Sequence, residues 1–178
     1  MAVVPVIKIG NPILQQISEP VADIDEKLRQ GLIQNMLDTM AAEDGAGIAA
    51  PQIGINKRVI IFGIEKNPRY PDVEPVPTTV LINPVITPLS DEKKAGWEGC
   101  LSVPDYRGLV ERYTKIRYTG FDENGVRIDR VVSDFHAIVV QHEVDHLDGI
   151  LYPQRIKDMT KFGLLEELEA SGAIPKIS

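Results

Sequence analysis

The pentapeptide His142-Glu-Val-Asp-His146 constrains the fold more than any other stretch of this chain, because it works chemically only on a helix. Residues four apart lie on one helical face, so both imidazoles can address a single ion. Glu143 is then offset by one position and within reach of a proton on water at that ion. The residues upstream predict the helix itself. Phe135, Ile138, Val139, His142 and His146 recur at spacings of three and four, so the histidines close one end of an apolar stripe. Ser133 sits at the expected N-cap and Gly149 at the C-terminal exit, giving a helix that runs to about Leu147. His136 falls off the ligand face and reads as structural.

The rest of the chain supplies a scaffold for that helix. Leu28, Leu32, Met36 and Met40, with Ile33 and Leu37 beside them, predict a helix over 25–42. A Gly- and Ala-rich loop follows at 45–52, then a strand at 59–64. Pro68, Pro71, Pro75 and Pro77 mark 65–78 as an exposed connection, a lid or an edge. A strand at 80–86 is interrupted at Asn83-Pro84. Segments 109–121 and 126–132 flank Asp122-Glu-Asn-Gly125, a hairpin signal. A last helix is expected at about 159–170. The expectation is an α+β fold, with mainly antiparallel sheets around a central metal-binding helix and helices near both ends. At 178 residues, one catalytic domain over 1–178 is expected.

Composition narrows the function classes. A net charge of −7 argues against binding nucleic acid or anionic membrane. No apolar run nears the roughly 20 residues that span a bilayer. The opening Met1-Ala-Val-Val-Pro-Val-Ile-Lys8 lacks the marks of a signal peptide, and the single cysteine excludes an internal disulfide; a reducing cytoplasm is the expected location.

Two histidines do not complete a metal site, and spacing tests the candidates for a third ligand. The metzincin pattern needs histidine six residues after His146, where this chain has Tyr152. Thermolysin-like zinc peptidases use a glutamate about twenty residues on, and Glu166 stands there. Leu165 replaces the asparagine expected before it, and Glu166-Glu167-Leu168-Glu169 fits a solvated helix face. Cys100, in Gly96-Trp-Glu-Gly-Cys-Leu-Ser102, offers a thiolate. By spacing alone, Glu166 and Cys100 both stay open.

Three segments together resemble the motifs of the peptide deformylases. Gly45-Ala-Gly-Ile-Ala-Ala-Pro-Gln52 is similar to the family's G-x-G-x-A-A-x-Q, Glu98-Gly-Cys-Leu-Ser102 to E-G-C-L-S, and Gln141-His-Glu-Val-Asp-His146 to Q-H-E-x-D-H. Leu147, Gly149, Arg107, Val110 and Arg112 fit the flanking positions, and the likeness spans about 7–158 without departure at a motif position. It resembles the ordinary bacterial or plastid form.

The resemblance implies a metallohydrolase that releases formate from N-formylmethionyl nascent polypeptides. Cys100, His142 and His146 would hold the metal, metal-bound hydroxide would attack the formyl carbon, and Glu143 would serve as general base and acid. The side-chain amide of Gln52 and the backbone N–H of Leu101 would stabilise the oxyanion. Gly45 and Gly47 would let backbone approach the substrate, while Phe135, Ile138 and Val139, with Ile48 opposite, would form the methionine slot. Glu98 and Asp145 are candidates to hold the ligands from behind, and the family pattern implies that Glu98 does so together with an arginine such as Arg107. Ligand type alone points to zinc, whereas the family implies ferrous iron, with nickel or cobalt as active substitutes. Transient contact with the ribosome is implied by the nascent-chain substrate.

Overall fold

The computed structural model describes residues 2–65, 72 and 74–176. Half of the proline-rich connection at 65–78, namely 66–71 and 73, lies outside the described residues. Two antiparallel sheets and a buried helix organise the rest. The five-stranded sheet has the order β1 (Gly47–Ala49), β2 (Val59–Ile64), β3 (Val76–Pro88), β6 (Lys115–Phe121) and β7 (Arg127–Ser133). The three-stranded sheet has the order β4 (Lys93–Cys100), β5 (Val103–Tyr113) and β8 (Phe162–Leu164).

Strand β2 explains how the two faces of the larger sheet are used. Its run Val59-Ile-Ile-Phe62 is apolar throughout because both faces are covered. Ile60, Phe62 and Ile64 point to a core shared with Val139, Val140, Val144 and Leu147 of α3 (Asp134–Leu147). Val59 and Ile61 point to the opposite core, shared with Ile33, Met36 and Met40. Those residues come from a helical stretch that begins as α1 (Glu26–Leu28), passes through a π-helical turn over Arg29–Ile33 and continues as α2 (Gln34–Ala42).

The centre of the molecule is therefore α3. Gln141 pins it to the smaller sheet by answering both backbone groups of one residue: Nε2 donates to the Tyr113 carbonyl at 2.9 Å, and Oε1 accepts from the Tyr113 N–H at 3.1 Å. At its C-terminal exit Gly149 adopts φ 74°, and a Cβ there would lie 2.5 Å from the Gln15 carbonyl. Glycine is required on both counts. At the other end Ser133 occupies the N-cap position, but its side chain makes no capping hydrogen bond.

Three expected boundaries shift. The segment 109–121 divides between β5 and β6, which belong to different sheets and meet at Thr114. The loop at 45–52 contains β1 and a 3-10 turn over Ala50–Ile53. The expected helix at 159–170 shortens to α4 (Leu165–Ala170), because β8 pairs with β5 through Gly163 opposite Arg107 and Leu164 opposite Tyr106. The interruption in β3 is a register shift between Ile82 and Val85, with Asn83 at φ 52°.

Candidate metal centre and cleft

An open cleft of about 1020 Å3 runs between the two sheets, floored by α3. β1 and β4, each an edge strand of its own sheet, both border it. At its base, donor atoms of Cys100, His142 and His146 all lie within 4.8 Å of one another. The Cys100 Sγ to His146 Nε2 separation is 3.5 Å. Ligands about 2.0–2.3 Å from one ion in tetrahedral geometry stand at roughly this spacing, so the three residues fit a single transition-metal site. Among the described residues no other such group occurs. Glu166, the rival third ligand, is an exposed residue of α4 at the cleft rim and outside this donor group.

Two of the three donors, His142 and Cys100, are touched by orienting neighbours, while His146 Nδ1 has no hydrogen-bond partner. His142 Nδ1 lies 2.8 Å from Glu98 Oε1, which fixes the Nδ1–H tautomer and leaves Nε2 as the donor atom. The ring of Tyr152 stacks beside His142 at 6.1 Å between centroids and 26° between planes. Cys100 ends β4 where a tight turn, Leu101-Ser102, leads into β5. Gln52 reaches across from the first motif. Its Oε1 accepts from the Ala49 N–H at 2.9 Å, and its Nε2 donates to Ser102 Oγ at 3.1 Å and contacts Cys100 Sγ at 3.5 Å.

The arginine behind the ligands is Arg112, which corrects the expectation for Arg107. Arg112 Nε and Nη2 grip Glu98 Oε2 and Oε1 at 2.9 and 3.0 Å, and Nη1 meets Asp145 Oδ2 at 2.6 Å. Arg107 instead lines the cleft, lies against Gly99 and donates Nη1 to the Tyr106 carbonyl. Strand alternation is the reason. Gly108, Val110 and Arg112 point inward along β5, and Arg107 has the opposite parity. Asp145, a candidate beside Glu98, reaches Arg112 rather than a ligand, and Ser102, whose hydroxyl anchors Gln52, is a contributor that the sequence does not mark.

Burial acts on two carboxyls here with opposite results. Burial alone would raise Glu98, but the hydrogen bonds from His142 and Arg112 bring it down to about 2. Glu143 rises to about 7, first because it is buried, and its Oε1 has no hydrogen-bond partner. It stands 4.0 Å from His146 Nε2. Burial also opposes charge on His142, yet contacts with Cys100 and Glu98 raise it well above the ordinary imidazole value. Burial and the neighbouring cations hold His146 well below it.

The two glycines of the first motif differ in role. A Cβ on Gly47 would lie 2.5 Å from Glu143 Oε2, so this residue makes room for the carboxylate. Gly45 borders the cleft against the Leu101 side chain. Phe135, Ile138 and Val139 line the cleft wall beside His142. Ile48 does not: it is fully buried on the opposite face of β1, among Met36, Met40 and Ile61. His136 is structural, with its Nε2 2.8 Å from the Tyr118 hydroxyl.

A family model described as polypeptide deformylase matches residues 3–162. The chain belongs to the polypeptide deformylase family. It is 57% identical to peptide deformylase 1 of Nitrosomonas europaea over 164 residues, covering 92% of this chain and 93% of that protein. It is 47% identical to peptide deformylase 1 of Prochlorococcus marinus over 179 residues, covering 100% of this chain and 93% of that one. Among solved structures, the Met-Ala-Ser-bound class I type b peptide deformylase from Acinetobacter baumannii matches with a TM-score of 0.83 at 46% identity, over 87% of this chain and 99% of that chain. The deformylase of Synechococcus elongatus in complex with actinonin matches at 0.79 and 37% identity, over 95% of this chain and 86% of that chain. The α+β arrangement is thus the deformylase fold.

Proposed function

We propose that this deformylase removes the formyl group from N-formylmethionyl nascent polypeptides, using one divalent metal held by Cys100, His142 and His146. The observation that carries the reading is the pairing of that donor set with the unpartnered Glu143 Oε1 at the base of a cleft. Ferrous iron is the expected ion, with nickel or cobalt as substitutes; a single thiolate with two imidazoles suits any of them, and zinc as well. When bound, the metal supplies Lewis-acid chemistry, activating water and drawing charge from the formyl oxygen.

The chain's own residues do the rest. Glu143 takes the proton of the attacking water and delivers it to the departing amine. Gln52 Nε2 and the Leu101 N–H flank Cys100 and donate to the oxygen that gains charge, each worth about 2.7–4 kcal/mol in the transition state. Phe135, Ile138 and Val139 receive the methionine side chain, and the edges of β1 and β4 offer backbone partners to an extended peptide. The whole chain, 1–178, acts as one catalytic domain in the cytoplasm, where its substrates emerge. The ribosome is met transiently through those substrates, because the acidic α4 offers RNA no attraction.

The test is formate release from a formyl-Met tripeptide by anaerobically purified protein, with Glu143→Ala as control. Release that disappears in the variant supports the proposal. No release from a folded, iron- or nickel-loaded sample would overturn it.

A further inference from the structure

The support behind His142 does not stop at Glu98. Arg112 links Glu98 to Asp145, and Asp145 is gripped from its far side by Arg155 on the 3-10 turn Tyr152–Arg155. Arg155 Nε meets Asp145 Oδ2 at 2.6 Å and Nη2 meets Oδ1 at 2.8 Å. Two carboxylates and two guanidiniums therefore alternate, and their charges cancel, along a line that starts at His142 and ends in solvent. The side chain of Arg155 is 44% exposed, against 4% for Arg112, and Arg155 does not line the cleft.

We infer that Arg155 is a positioning residue, which holds His142 in its ligating orientation by keeping Asp145 from drawing Arg112 off Glu98. The contact geometry carries this. Asp145 Oδ2 is shared by Arg112 Nη1 and Arg155 Nε at the same distance, 2.6 Å. Without Arg155, Asp145 is a buried carboxylate with Arg112 as its remaining charged partner. Arg112 already meets Oδ2, and its guanidinium is a rigid plane, so turning to take up the Oδ1 that Arg155 leaves would lift its other edge from Glu98. Glu98 then loses the fork that aims Oε1 at His142 Nδ1, and the imidazole loses its fixed direction.

The inference rests on the metal-centre reading above, and the experiment separates the two. Cobalt(II) affinity is measured by chelator competition, with the thiolate-to-cobalt absorption as reporter, in wild type, Arg155→Gln, Arg155→Lys and Arg58→Gln. Arg58→Gln is the structural control. It removes an ion pair to Asp148 and a bond to the Leu147 carbonyl at the end of the same helix, with no link to Glu98. The expected result is cobalt affinity about tenfold weaker in Arg155→Gln. Its kcat should fall while KM stays unchanged. Lysine should restore part of the affinity through its charge, and the control should match wild type. Cobalt binding by Arg155→Gln equal to wild type overturns the inference and leaves the metal centre standing. A loss matched by Arg58→Gln also overturns it, since a frayed helix end would then be the cause. No cobalt binding by folded wild type overturns both.

Discussion

On the β4–β5 wall of the cleft, Glu98 meets Arg112 at two points and His142 at a third. On the β1–α3 wall, Glu143 stands against the bare Cα of Gly47, and its Oε1 meets no donor. Both are buried glutamates within one site, yet one is held ionised down to about pH 2 and the other is brought near neutrality. Residue type and burial do not set the role of a carboxyl; the partners brought by the neighbouring strand do. One wall spends its polar groups on each other and becomes rigid. The other leaves an oxygen unanswered, which is what proton transfer requires.

If that contrast is right, exchanging features between the walls should damage different properties. Glu143→Gln should lower kcat by about 10²–10⁴-fold with metal content unchanged, read by formate release and metal analysis. Metal lost in step with activity would mean that Glu143 belongs to the rigid wall after all. Arg112→Leu should cost about 3–5 kcal/mol of stability, because it strips the buried Glu98 carboxylate of its guanidinium partner; urea unfolding measures it. Gly47→Ala should displace Glu143 and reduce kcat about 10²-fold. Its thermal midpoint should change little, since Glu143 is a side chain that can turn away, and a large loss of stability would show that the glycine serves packing instead. Ile48→Val should cost about 0.5–1.5 kcal/mol of stability and leave KM for the peptide unchanged, as befits a core residue facing away from the cleft. A raised KM would return Ile48 to the substrate slot.

The two walls also differ in how readable they were. The α3 side is local: His142, Glu143 and His146 fall within five residues, and helical periodicity alone predicts that they share a site with Phe135 and Val139. For Cys100 and Gln52 the pointer is family resemblance; in the structure Cys100 lies beside the two histidines, and Gln52 beside Cys100. The β4–β5 side depends on register. Choosing between Arg107 and Arg112 requires knowing which parity of β5 faces inward, and a single strand's sequence expresses that weakly when Leu109 sits among the outward positions. Ile48 was misplaced for the same reason, one residue of alternation along β1. The helix expected over 159–170 gave way to β8 because pairing with β5 is a tertiary contact, although Gly163 is a poor helix residue and was the available warning.

Strand β1 has a further consequence beyond the site. An open strand edge beside a cleft is also an invitation to other proteins, since any extended chain can pair with it. Here that edge is three residues long, Gly47-Ile-Ala49, followed at once by the 3-10 turn that carries Gln52. A short peptide can dock in such a space, while a foreign sheet has too little length to lock into register. The brevity of β1 thus limits what can pair along that edge to short segments.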